Sequence, residues 1–155
     1  MTEEDEIEEQ RASLARQASE LATKAITIAN NSGFTLDLTE SSLDALDALL
    51  AHLSETLTDA QKENAAQLYA AYVLEVGHRA HGGHFQWWHE HDAPVLVVGG
   101  PDCHIGLFAL DKIRGRLAGD PADNVRFFYD GFARRSRERE PGDQATYIQG
   151  TAGRA

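Results

Sequence analysis

Cysteine is almost missing from this chain: Cys103 is the only one in 155 residues. An intramolecular disulfide is therefore impossible, and so is any zinc site built on paired cysteines. Long apolar runs are missing too, since nothing approaches the roughly 18 consecutive apolar residues of a membrane span. Positive charge is scarce, with 14 basic residues against 25 acidic ones and a formal charge of −11. Such a surface repels phosphate backbones at long range, so nucleic acid is not an expected partner, and neither is a membrane. The opening Met1-Thr2-Glu3-Glu4-Asp5 is acidic where a secretory leader would be basic, so a cytoplasmic protein is expected. There is no Gly-x-Ser-x-Gly elbow, Walker motif, Gly-x-Gly-x-x-Gly loop or His-Glu-x-x-His pair. A chain of this length folds as one domain and can bury a core without a staple.

The apolar spacing divides the chain into a single α+β domain over residues 1–140 and a disordered tail over 141–155. A long helix is expected over 1–30, capped by Thr2 with Asp5 and carrying acids in its first turn, where the helix dipole favours them. Leu14, Ala18, Leu21, Ala25 and Ile28 recur along it at alternating spacings of four and three, with Ile7 one heptad earlier. That narrow seam suits one partner helix, within the chain or on a second molecule. A helical pair follows over 39–82. Thr39 caps the first member, which buries Leu43, Leu46, Leu50 and Leu53. Thr58 and Gln61 form a capping box for the second, which buries Tyr69, Tyr72 and Val76 and ends at Gly82-Gly83.

Residues 84–108 then read as about three short antiparallel strands, around Phe85 to Trp88, Pro94 to Val98 and Cys103 to Phe108. Helices close the domain over 109–138. The last is expected to start at Asp120-Pro121, with Val125, Phe128, Tyr129 and Phe132 facing inward. The mixed run Arg134-Arg135-Ser136-Arg137-Glu138-Arg139-Glu140 reads as a solvated helix end. Beyond it, Pro141, Gly142, Gly150 and Gly153 stand among few apolar residues, which is the basis for expecting disorder.

Between Tyr69 and Phe132 the chain resembles a group of uncharacterised small bacterial proteins that share a domain of unknown function. The resemblance rests on Ala71-Tyr72-Val73-Leu74-Glu75-Val76, Gly82-Gly83, Trp87, Lys112, Arg116, Leu117, Gly119 and Phe128-Tyr129. It covers under half of the chain and implies a single α+β domain. It brings no catalytic residues with it.

Histidine is the unusual presence: His78, His81, His84, His89 and His91 fall within fourteen residues, and His104 follows. Imidazole suits zinc, copper, nickel or iron. Strand alternation sends these side chains to different faces, so the candidate ligand set narrows to His81, His84 and His91, against solvated histidines that bind nothing. Glu75 and Arg79, four apart in the favoured acid-first order, are candidate general acid-base groups or a structural pair. Trp87 and Trp88 point to opposite faces of one strand. One is expected in the core; the other, Trp88, is either covered by a second helix layer or left exposed as a candidate anchor for a protein partner. The expected function is a non-enzymatic protein-binding or regulatory module without a cofactor. It would act on another protein or on a second copy through Leu14, Leu21 and Ile28. The rival is a metal-dependent protein built on the histidines.

Overall fold

Thr2 opens the first helix as its sequence predicts, its hydroxyl accepting the backbone N–H of Asp5 while the Asp5 carboxylate accepts that of Thr2. The computed structural model describes residues 2–120, 124–148 and 152–153. Helix α1 spans Glu3–Asn31. Its buried stripe is Leu14, Ala18, Ala22, Ala25 and Ala29, rotated from the expected seam. Leu21 is only half-buried and Ile28 is exposed. The alanines decide the rotation, because four small side chains on one face let α1 lie close against the helix it contacts most, α3 (Asp59–His81).

Thr39 caps a single 3-10 turn, Glu40–Ser42, which leads into α2 (Leu43–Thr56). Tyr72 of α3 holds this entry. Its hydroxyl accepts the Leu38 N–H at 2.9 Å and lies 2.6 Å from the Ser42 hydroxyl, which donates to the Thr39 carbonyl. Helix α3 begins at the Thr58/Gln61 capping box and ends at Gly82. The sequence suggests one apolar face for it, yet every residue from Tyr69 to Gly77 is buried. A helix covered on all sides is the centre of its fold, and α3 lies against α1, α4 (Leu110–Leu117), the sheet and α5 (Val125–Glu138).

The three expected strands form an antiparallel meander: β1 (His84–Trp88), β2 (Ala93–Val98) and β3 (His104–Leu107). The sheet does not stop there. Strand β4 (Gln144–Tyr147) pairs parallel to β3, and the two-residue β5 (Ala152–Gly153) pairs antiparallel to β4. The protein is α+β, but its sheet is mixed and has more strands than the three expected. Parallel neighbours need a long crossover, and α4 with α5 supply it between β3 and β4.

The expected disordered tail over 141–155 is therefore corrected as far as Ile148. Ala145, Thr146 and Tyr147 are buried, the His104 N–H donates to the Asp143 carbonyl, and the Phe108 N–H donates to the Tyr147 carbonyl. The remainder of that stretch, apart from residues 152–153, lies outside the described residues. The start of the last helix also differs. Its cap is Asn124, whose side chain accepts the Phe127 N–H. The expected Pro121 lies outside the described residues.

Glycine sets how closely the layers approach. A Cβ on Gly77 would meet Leu96 at 3.0 Å, Leu107 at 3.3 Å and Phe132 at 3.3 Å, so α3 sits against β2, β3 and α5 at one point. A Cβ on Gly131 would stand 2.7 Å from the Tyr147 ring, so α5 lies directly on β4. Tyr147 thus belongs to the core. Tyr147→Ala should cost about 3–5 kcal/mol in chemical denaturation, the range for large aromatic deletions. Removing everything after Glu140 should cost at least as much. An unchanged denaturation midpoint in the truncated protein would show that β4 adds nothing to the fold.

Candidate functional site

Tyr129 lies on the inner face of α5, and a buried phenol needs a hydrogen-bond partner. It finds one on the 3-10 turn: its hydroxyl donates to Glu40 Oε2 at 2.6 Å. His81, in the last turn of α3, brings Nε2 to 3.0 Å from the same oxygen. The His81 ring stands against Tyr129 and Phe132, with centroids 6.4 and 5.8 Å away. Burial pushes the Glu40 carboxyl up. The hydrogen bonds from Tyr129 and His81, together with the charges of His81 and Arg137, outweigh that and hold it below the ordinary glutamate range. Burial first, and then the hydrogen bond to Glu40 and its charge, push the Tyr129 phenol far up. Glu40 is thus an ionised acceptor with two donors on one oxygen, and His81 Nε2 carries the proton it shares.

Glu40 also lines a groove of about 640 Å³ along α5, together with Arg126, Phe127, Asp130, Arg134, Arg137 and Tyr147 among others. The helical period puts residues 127, 130, 131, 134 and 137 on one side of α5. Arg126 is held by Asp130 at 2.9 Å and Asp44 at 3.2 Å, and it donates to the Glu40 carbonyl. Arg134 and Arg137 make no ion pair or hydrogen bond among the described residues. They are exposed, as the sequence suggests for a solvated helix end, but they converge on one groove. Phe127 stands at its rim with 74% of its surface exposed, the most exposed large apolar side chain described.

The residues singled out from sequence are placed apart from one another. Glu75 is buried and accepts Arg79 Nε at 3.3 Å, while the Arg79 side chain is exposed; the pair stands on α3 outside the groove lining. His81 is bound to Glu40. His84 Nε2 lies 2.7 Å from Gln86 Nε2. His91 lies edge-on to Trp88 and tilted against Phe108, with ring centroids 4.2 and 4.9 Å away. The three histidines do not converge, and among the described residues no group of three or more His, Cys, Asp or Glu side chains is placed to hold a metal ion.

Trp87 and Trp88 do face opposite ways, but neither is fully buried or fully exposed. Trp87 lines a hollow with Leu14 and Leu21. Trp88 lies edge-on to Phe108 at 5.2 Å, so it is engaged within the chain instead of standing out as an anchor. Leu14 is spent on the α1 core face. Sequence reasoning passes over Glu40 altogether. The one available signal is Tyr129 itself, a polar tip on an otherwise apolar inner stripe.

Glu40 gives a pH signature with a definite sign. Its folded pKa lies below its unfolded one, so its contribution to stability is present above the ordinary glutamate range and is lost as pH falls through the folded value. Between roughly pH 5 and pH 3, around the usual glutamate value near 4.3, wild type should lose more stability than Glu40→Gln. Tyr129→Phe should cost about 1 kcal/mol at neutral pH, as expected for one hydrogen bond to a partly solvated carboxylate. Parallel pH curves for wild type and Glu40→Gln would show that the Glu40 contacts contribute nothing.

No protein-family model, curated protein or solved structure matches this chain, so the groove is read from its own chemistry.

Proposed function

We propose that this protein is a non-enzymatic binding module whose recognition surface is the α5 groove, and that its partner is an acidic segment of another protein carrying an apolar side chain. The observation that carries the reading is an exposed Phe127 beside Arg134 and Arg137, neither of which makes a hydrogen bond or close ion pair to a carboxylate among the described residues. Two exposed guanidinium groups on one groove stand out on a chain of formal charge −11. Guanidinium forks suit carboxylates, and an exposed aromatic ring gives an apolar side chain something to cover. Glu40, which lines the groove, is itself held in place. Glu40 fixes the α3 end and α5 together, and its negative charge is taken up by Tyr129 and His81 on one oxygen. The low glutamate pKa leaves Glu40 a weak base at neutral pH, which favours binding over proton transfer.

The test is fluorescence anisotropy with a panel of labelled peptides that combine Asp or Glu with Leu or Phe, and with the same peptides carrying Lys in place of the acids. Wild type should bind members of the acidic set saturably, more weakly as salt rises, and the Lys set not at all. Arg134→Glu combined with Arg137→Glu should weaken binding by about tenfold or more, and Phe127→Ala should weaken it without changing the fold. Binding that survives both changes, or no saturable binding by any acidic peptide, would remove the groove as the recognition surface.

A further inference from the structure

A second cluster of nitrogen-bearing side chains lies away from the groove, at the β1 side of the sheet. The register puts His84 opposite Val97 and Val97 opposite Gly106, so His84, Gly106 and, two residues earlier, His104 project from one face. That is not the face on which α3 and α5 lie, because those helices meet Leu96, Leu107 and Tyr147. Arg11 joins from α1, which contacts β1. His84 is the shared neighbour. Burial, then the charges of Arg11 and of His104, pull its pKa below the ordinary histidine range.

The polar atoms here are left with an unmet need. Arg11 Nε and His104 Nδ1 are both buried without a hydrogen-bond partner among the described residues, and Arg11 has no ion pair there. Native structures rarely leave such atoms unpaired without a reason. The Gln86 amide nitrogen can only donate, so His84 Nε2 accepts from it at 2.7 Å and the imidazole proton sits on Nδ1. The cluster therefore holds a guanidinium N–H, a His84 N–H and a second imidazole nitrogen, and it lacks a negatively charged acceptor. A metal cation fits badly beside a permanent arginine charge. Arg11, His84, Gln86 and His104 are each half-buried as residues, so the cluster lies at the edge of the packed interior.

We propose that Arg11, His84 and His104 form a binding site for an oxyanion, the phosphate or carboxylate group of a small ligand. Arg11 offers a fork to two oxygens, and the imidazoles donate to the oxygens that remain. A bound oxyanion would also give the Arg11 guanidinium the negative partner it lacks among the described residues.

The experiment is thermal unfolding of the full chain in increasing inorganic phosphate, against sodium chloride at matched ionic strength. Bound phosphate should give a saturable rise in Tm of about 3 °C, whereas general salt stabilisation does not saturate. R11Q and H104N should each abolish the saturable part, and R134Q with R137Q, which alters only the α5 groove, should leave it. In wild type, ring-nitrogen NMR during the same titration should move His84 and His104 and leave His52 and His89 still, a reading that needs no variant to fold. Acetate in a parallel series separates the two sources: a response to phosphate alone assigns a phosphate ligand, and a response to both assigns the oxyanion class. No saturable response to either anion, a response that survives R11Q, one lost in the R134Q/R137Q protein, or NMR shifts confined to other histidines would overturn the site.

Discussion

Gly77 is the point on which the architecture turns. With no Cβ there, the central helix comes within van der Waals reach of Leu96 on β2, Leu107 on β3 and Phe132 on α5 at once. A Cβ at this position would make all three side chains give way by a few tenths of an ångström at once, which a densely packed interior resists. The consequences run one turn further along α3. Once Phe132 is seated against Gly77, Tyr129 faces the same helix one turn earlier on α5, and His81 follows one turn later on α3. The meeting of Glu40, His81 and Tyr129 is a geometric result of that contact, and the groove above them inherits its position from it.

Charge is arranged with the same economy. The acidic excess is spread over the surface, but individual carboxylates act as joints. Asp47 on α2 accepts Arg116 Nε at 3.1 Å and Nη2 at 3.3 Å, and also the Val125 N–H at 3.0 Å. One carboxylate thus ties α2 to α4 and to the start of α5. Because Asp47 and Arg116 are both largely shielded from water, this bidentate pair counts for more than an exposed ion pair. Arg114 with Glu63 repeats the device between α4 and α3 in a more exposed setting, where it is worth less. Against this pattern of paired arginines, Arg11, Arg16, Arg134 and Arg137 make no hydrogen bond or close ion pair to a carboxylate among the described residues, and of these Arg11 alone has a nitrogen buried without a partner.

Local signals were enough for the elements they govern. The Thr2/Asp5 and Thr58/Gln61 boxes started their helices where expected, Gly82 ended α3, and β-branched residues with short turns announced β1 to β3. The misses share a cause, which is distance along the chain. Strand β4 is four residues long with a polar first member, and nothing in Gln144-Ala-Thr-Tyr marks it until β3 lies alongside. Glu40 is 41 residues from His81 and 89 from Tyr129, so neither contact leaves a periodic trace. The α1 face was misjudged for a different reason. A heptad reading gives weight to leucine and isoleucine, whereas close approach to α3 selects alanine, and the stripe turned toward Ala22 and Ala29.

Strand β4 matters for more than the sheet. Tyr147 lies against Gly131 of α5, its ring receives the Arg135 guanidinium at 5.7 Å, and its side chain reaches the groove that Arg134 and Arg137 line. The groove is therefore built from the 3-10 turn, α5 and β4, with the end of α3 beneath, segments joined only by tertiary contacts. A ligand spanning Glu40 to Tyr147 would bridge elements whose mutual position depends on the Gly77 and Gly131 contacts, and so would stabilise the junction between helices and sheet as well as its own site. By the same coupling, substitutions that loosen β4 would disturb the groove without touching an arginine, because Tyr147 is part of its wall.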